Sequence, residues 1–282
     1  MVSPGLRPSS TPFVRLSGPP QQVVDALGPL ASLVGTWMGS KGYELIAVPD
    51  VGRGGKEEFR LILRPYIEII IFTPIGASVP DRGYPSDLFI TGVQYEMRIT
   101  DAETNQPLHL ETGMWLYLPG QPQTIARSAT VPHGDSLLAL GTSATIPGPP
   151  TLPVVNTLPN TGGAPAGYLD PYLPGLGPFK TNNANQVLQD AIAKQIIVET
   201  VQLDISTANG GGILNIPFVN TNANANAFTC TYWIETVTEA NGDTYQQLQY
   251  SQQTNLNFIQ QFNASGQLIM WPHVNVNTLL KQ

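Results

Sequence analysis

The chain has 282 residues, 41% of them hydrophobic and only 12% charged, with 13 Lys+Arg against 20 Asp+Glu and a net charge of -7. That length is enough for one large core, and the acidic balance lacks the basic surplus that phosphate neutralisation demands, so a nucleic-acid partner is excluded. A single cysteine, Cys230, excludes an intramolecular disulfide and any zinc spacing built on paired thiols.

Glycine (27) and proline (26) are abundant and charge is scarce, a balance that predicts strands and loops. Residues 1–24 are rich in Pro, Ser and Gly with no periodicity and read as an extended arm without an apolar leader segment. With no long apolar run either, the chain reads as soluble and cytoplasmic, with no membrane partner. In Val23–Leu33, the residues Val24, Leu27, Leu30 and Leu33 recur at helical spacing around a Gly-Pro break, a piece suited to plugging one end of a barrel.

From Gly35 the period changes to 2, in runs bounded by turn residues: Tyr43–Val48, Glu58–Leu63, Tyr66–Thr73, Leu88–Thr100, Pro107–Leu118, Gln123–Val131 and Ser136–Thr142. Nine prolines within Ile146–Thr181 are incompatible with ladder hydrogen bonds and predict an insertion loop. Asn183–Gln195 predicts a helix, with Asn183 or Asn185 as cap. Four more strands follow over Ile196–Ser206, Ala227–Val237, Thr244–Phe258 and Leu268–Leu280. Ten or eleven sequential strands without crossover helices predict an all-β fold: one closed antiparallel β-barrel over residues 25–282, interrupted by a loop-and-helix insertion at 146–195.

The three histidines all lie in compact motifs. His109 and Glu111 share a face of one strand, either as a ligand with its orienting carboxylate or as a structural hydrogen-bonded pair. His133 sits in the turn Pro132-His133-Gly134-Asp135. His273 follows Pro272, and simple alternation groups it with Asn275 and Asn277 on the outer face, opposite Val274 and Val276. Glu68, Glu96, Glu111 and Glu235 interrupt apolar strands and call for partners, with Arg64, Arg98 and Arg127 as the natural ones. Cys230 reads as a small buried strand residue. No GxGxxG after a strand, GxxxxGK[ST], HExxH or GxSxG is present.

Gly35-Thr36-Trp37-Met38-Gly39-Ser40-Lys41-Gly42-Tyr43 resembles the opening GTWxGxGxGxY strand of the nitrobindin-like haem-binding β-barrels, relatives in fold of lipocalins and fatty-acid-binding proteins. Further landmarks follow in order. Leu108–Trp115 is similar to the family's HxExGxxR strand, although Trp115-Leu116-Tyr117 stands where its arginine is usual, and Ile125–Gly134 with Ser136–Gly141 is similar to the strands around its A-H-P-x-G turn. His273, in HVNVNTLLK, falls where the family places its proximal ligand. The resemblance covers Leu33–Leu140 and Ala227–Lys281. It implies haem b with iron held by His273, a pocket involving Trp37, His109 and Glu111, and His133 as the catalytic residue of the opposite face.

The activity so implied is on a small oxidant (nitric oxide, peroxynitrite or peroxide), including isomerisation of peroxynitrite and peroxidase-like turnover of an organic substrate. Two other readings keep the barrel: a cofactor-free carrier of an apolar small molecule, and a non-haem metal enzyme using His109, Glu111 and His133. The insertion has two readings as well, a lid over the pocket or a contact surface for a second copy in a homodimer.

Overall fold

The computed structural model describes residues 20–50, 58–131, 134–159, 166–167, 169–170, 173–260 and 267–282. The strands are β1 (Gly35–Asp50), β2 (Glu58–Pro74), β3 (Val79–Asp81), β4 (Leu88–Asp101), β5 (Pro107–Tyr117), β6 (Ile125–Val131), β7 (Asp135–Pro147), β8 (Ile196–Asn215), β9 (Ala225–Thr238), β10 (Thr244–Gln260) and β11 (Leu268–Lys281). They pair antiparallel in the order β2-β1-β11-β10-β9-β8-β7-β6-β5-β4-β3. A further pairing of β2 with β4 closes ten of them into a barrel and leaves β3 as a short flap on β4. Closure removes the open edges that such Thr- and Ile-rich strands would otherwise expose.

The expected break between Glu58–Leu63 and Tyr66–Thr73 does not occur, because β2 runs through Pro65 as one strand. Opposite it, β1 shifts register between Gly39 and Gly42. A Cβ on Gly42 would lie 2.1 Å from the Tyr66 ring, so the bulge requires glycine there and lets Tyr66 lie flat across the barrel. The bulge also reverses the parity of β1, so that Trp37 and Glu44 both face inward despite their odd spacing.

One end of the barrel is filled. A helix, α1 (Pro20–Ala26), and a 3₁₀ turn (Gly28–Leu33) bring Leu27, Leu30 and Leu33 into the core, each at most 1% exposed. Burial of three leucines is worth about 1.5–3 kcal/mol each, which anchors the plug. The helix begins inside the stretch expected as an arm; the remainder of that arm, residues 1–19, lies outside the described residues. Around the plug pack Trp37, Phe72, Trp115, Tyr232, Leu248 and Leu279.

The insertion lies on the outer wall. Leu152 and Phe179, with Leu188 of α2 (Gln186–Ile192), cover Leu45, Trp233, Val274 and Val276. In its described part this segment is thus a buttress against β1, β9 and β11. The expected asparagine caps serve the insertion instead: Asn185 Nδ2 donates to Pro153 O (2.9 Å), and Asn183 Oδ1 accepts from Val155 N (3.3 Å). No helix among the described residues is long and apolar enough to cross a membrane.

Candidate functional site

The end of the barrel opposite the plug is hollow. A cavity of about 490 Å³ lies among the inward residues of the strands there, under α3 (Pro217–Asn222), which contributes Phe218 and Val219 to its rim. Its wall is mainly apolar, through residues such as Ile46, Ile99, Leu137, Ile213, Phe228 and Leu256. The polar lining comes from Glu44, His109, Glu111, Asp135, Tyr250, Gln252, Thr254, His273 and Asn275. Among the described residues the lining includes no Lys or Arg.

Three residues singled out from the sequence meet here: His109, Glu111 and His273. Trp37, expected beside a cofactor, does not. It is fully buried in the filled half, where its Nε1 donates to Leu33 O (2.6 Å) and Lys281 Nζ lies 5.2 Å from its ring centre. Its indole fastens the plug to the wall. His133 lies outside the described residues, although Val131 and Asp135 on either side of its turn line the cavity.

His273 faces inward together with Asn275 and Asn277, the reverse of the simple alternation reading. Val274 and Val276 point outward and are nevertheless buried, because the insertion covers them. Nε2 of His273 is buried and has no hydrogen-bond partner; its nearest ion-pairing atom is Glu44 Oε2 at 3.9 Å. An imidazole nitrogen left this way costs desolvation and has a lone pair or proton available to a ligand.

His109 is committed differently. Its Nε2 lies 3.1 Å from Glu111 Oε2, while Glu111 Oε1 accepts from Arg127 Nη2 (2.5 Å) and from the Tyr95 hydroxyl. Arg127 also donates through Nε to Tyr95 (2.9 Å) and through Nη1 to Gln252 Oε1 (3.0 Å). A Cβ on Gly113 would lie 2.9 Å from the Tyr95 hydroxyl, so the glycine of the HxExG strand clears the path by which Tyr95 reaches Glu111. Burial works against ionisation of Glu111, but the Arg127 charge and the bonds from His109 and Tyr95 outweigh it and hold the carboxyl down at about 2. Arg127, the cross-strand partner of Trp115, thus supplies the cation for Glu111 from the next strand.

The other acids divide. Arg98 pairs with Glu96 at the surface, and Arg64 lies 3.5 Å from Asp101. Glu68 and Glu235 are buried without either cation, and burial raises both to about 7 against the bonds they accept. Cys230 is buried and its thiol is pushed up to about 12, again by burial, so it is no nucleophile at neutral pH. Among the described residues no group of three His, Cys, Asp or Glu side chains could hold a metal ion.

A family model described as the THAP4-like, heme-binding beta-barrel domain matches residues 26–151, which run from the plug to the end of β7. Over those residues the chain is similar to this family of barrels. The match supports haem binding and stops short of β11, so the strand that carries His273 stands outside it. No curated protein matches the chain. A crystal structure of Rv2717c from M. tuberculosis is similar at 17% identity and a TM-score of 0.44, over 94% of this chain and 99% of that one.

Proposed function

We propose that the cavity binds haem b, with His273 Nε2 as axial ligand to the iron. The observation that carries this reading is the buried, unbonded Nε2 in the lining of a mostly apolar cavity. Bound there, haem would supply an iron centre able to take small oxidants such as nitric oxide, peroxynitrite or peroxide. The chain's own residues do the rest. The apolar wall excludes water, and Glu111, clamped by Arg127 and Tyr95, fixes the position of His109 at the cavity edge. The absence of any CxxCH sequence favours haem held by coordination and packing alone. Without a Lys or Arg in the described lining, the propionates gain no ion pair inside.

That last feature favours a second reading, an apolar small molecule carried without a cofactor. A titration of the purified protein with ferric haem separates the two. A Soret band saturating at one haem per chain and lost in His273→Ala supports ligation by His273; an unchanged band in that variant overturns it. No band in the wild-type protein leaves the carrier. The non-haem metal site has little to recommend it, because both oxygens of Glu111 are already engaged.

A further inference from the structure

Beside the cavity lies a second polar group that haem ligation does not use. Glu68 on β2 is fully buried and has no cation partner among the described residues. Its Oε2 accepts from the Tyr250 hydroxyl (2.8 Å) and from Asn277 Nδ2 (2.7 Å), while Oε1 has no hydrogen-bond partner. Tyr250 lines the cavity; Glu68 does not, and lies behind it. The Tyr66 hydroxyl, 2.7 Å from that of Tyr250, closes the network against Val276 O (3.1 Å). A phenol between a cavity and a carboxylate can pass a proton by giving up its own and accepting another.

We propose that Glu68 is a general base for the cavity, acting through the Tyr250 hydroxyl on a small weak acid bound there. The weak acid's H–X bond breaks and its proton passes to the Tyr250 oxygen. The phenol's original proton passes to Glu68 Oε2. The anion X⁻ stays in the cavity, Tyr250 is again a neutral phenol, and Glu68 is a neutral acid. The observed arrangement, with the phenol donating to Glu68, is the state ready to accept. Burial, which sets the Glu68 carboxyl at about 7, lets it exchange protons near neutrality. The other titratable groups that act on it are Tyr66, Tyr232 and Tyr250 around it and His109 and Glu111 across the barrel, with Arg127 balancing Glu111.

This assignment rests on the cavity and not on haem, so its test uses the full-length protein without added haem. Because the Glu235 carboxyl is raised to the same range, every protein compared also carries Glu235→Gln; infrared difference spectra between pH 5 and pH 9 should then show a protonated-carboxyl C=O band that Glu68→Gln removes. On mixing into D₂O at pH 5, that band should shift quickly in the Glu235→Gln parent and in Tyr66→Phe. In Tyr250→Phe, checked for folding by near-ultraviolet circular dichroism, the shift should be at least tenfold slower. Absence of the band from the parent, its survival in Glu68→Gln, or equal exchange in Tyr250→Phe would each overturn the proposal. Should Tyr250→Phe fail to fold, Tyr250→Trp takes its place in the same comparison.

Discussion

The two halves of the barrel interior use the same ten strands to opposite ends. In the plugged half, Trp37, Trp115 and Tyr232 share one buried core with three leucines. In the hollow half, the same strands place Ile, Val and Leu beside Glu, His and Asn around a cavity of about 490 Å³. Stability therefore resides at one end and ligand chemistry at the other, and the boundary between them is drawn by two buried carboxyls, Glu111 with a cation and Glu68 without.

The largest effects should come from breaking the filled side of this division. Arg127→Met leaves the Glu111 carboxylate buried without its counter-charge, at a cost of about 3–5 kcal/mol in urea unfolding. Trp37→Ala removes the indole that holds the plug and should cost about 3–5 kcal/mol, yet leave the stoichiometry of any haem titration unchanged. A loss of ligand binding in Trp37→Ala without loss of stability would break the comparison.

The two carboxyls should also titrate stability in opposite directions. Glu111, held low, contributes stability above its unfolded value near 4.5 that is lost as pH falls toward 2. Glu68, held high, contributes stability at pH below 4.5 that is lost as pH rises through 7. The wild type should thus lose on the order of 2–3 kcal/mol relative to Glu68→Gln between pH 4.5 and 7.5, measured as paired urea curves. The smallest stability effect belongs to the hollow half. His273→Ala removes a side chain with no hydrogen bond at Nε2 and should change stability by less than about 1 kcal/mol, while abolishing haem uptake.

Much of this was legible in the chain. The alternating runs mark all the long strands, because a half-buried strand must repeat at period 2. The plug was visible as Leu27, Leu30 and Leu33, and His109 with Glu111 as a same-face pair. The partnership of Glu111 with Arg127 was open among three arginines, since a sequence separation of 16 gives no account of which strand faces which. Glu68 was marked as an acid in an apolar strand, but its partners Tyr250 and Asn277 come from strands more than 180 residues away in sequence. Only the closure of β11 against β1 and β10 brings them together.

His273 shows where sequence reasoning stops. The alternation of Val274 and Val276 with His273, Asn275 and Asn277 determines that these are two faces of one strand, and the strong rule that apolar faces turn inward points the valines to the barrel axis. The tertiary structure reverses that choice because the insertion supplies a second apolar shelter outside, through Leu152, Phe179 and Leu188. With the valines satisfied there, the polar face is free to line the cavity. The sequence by itself determined the strands, their faces and the plug, all of which follow from local periodicity. Which face met which shelter, and which carboxyl met the cation, depended on contacts between distant segments, and only the closed barrel decided them.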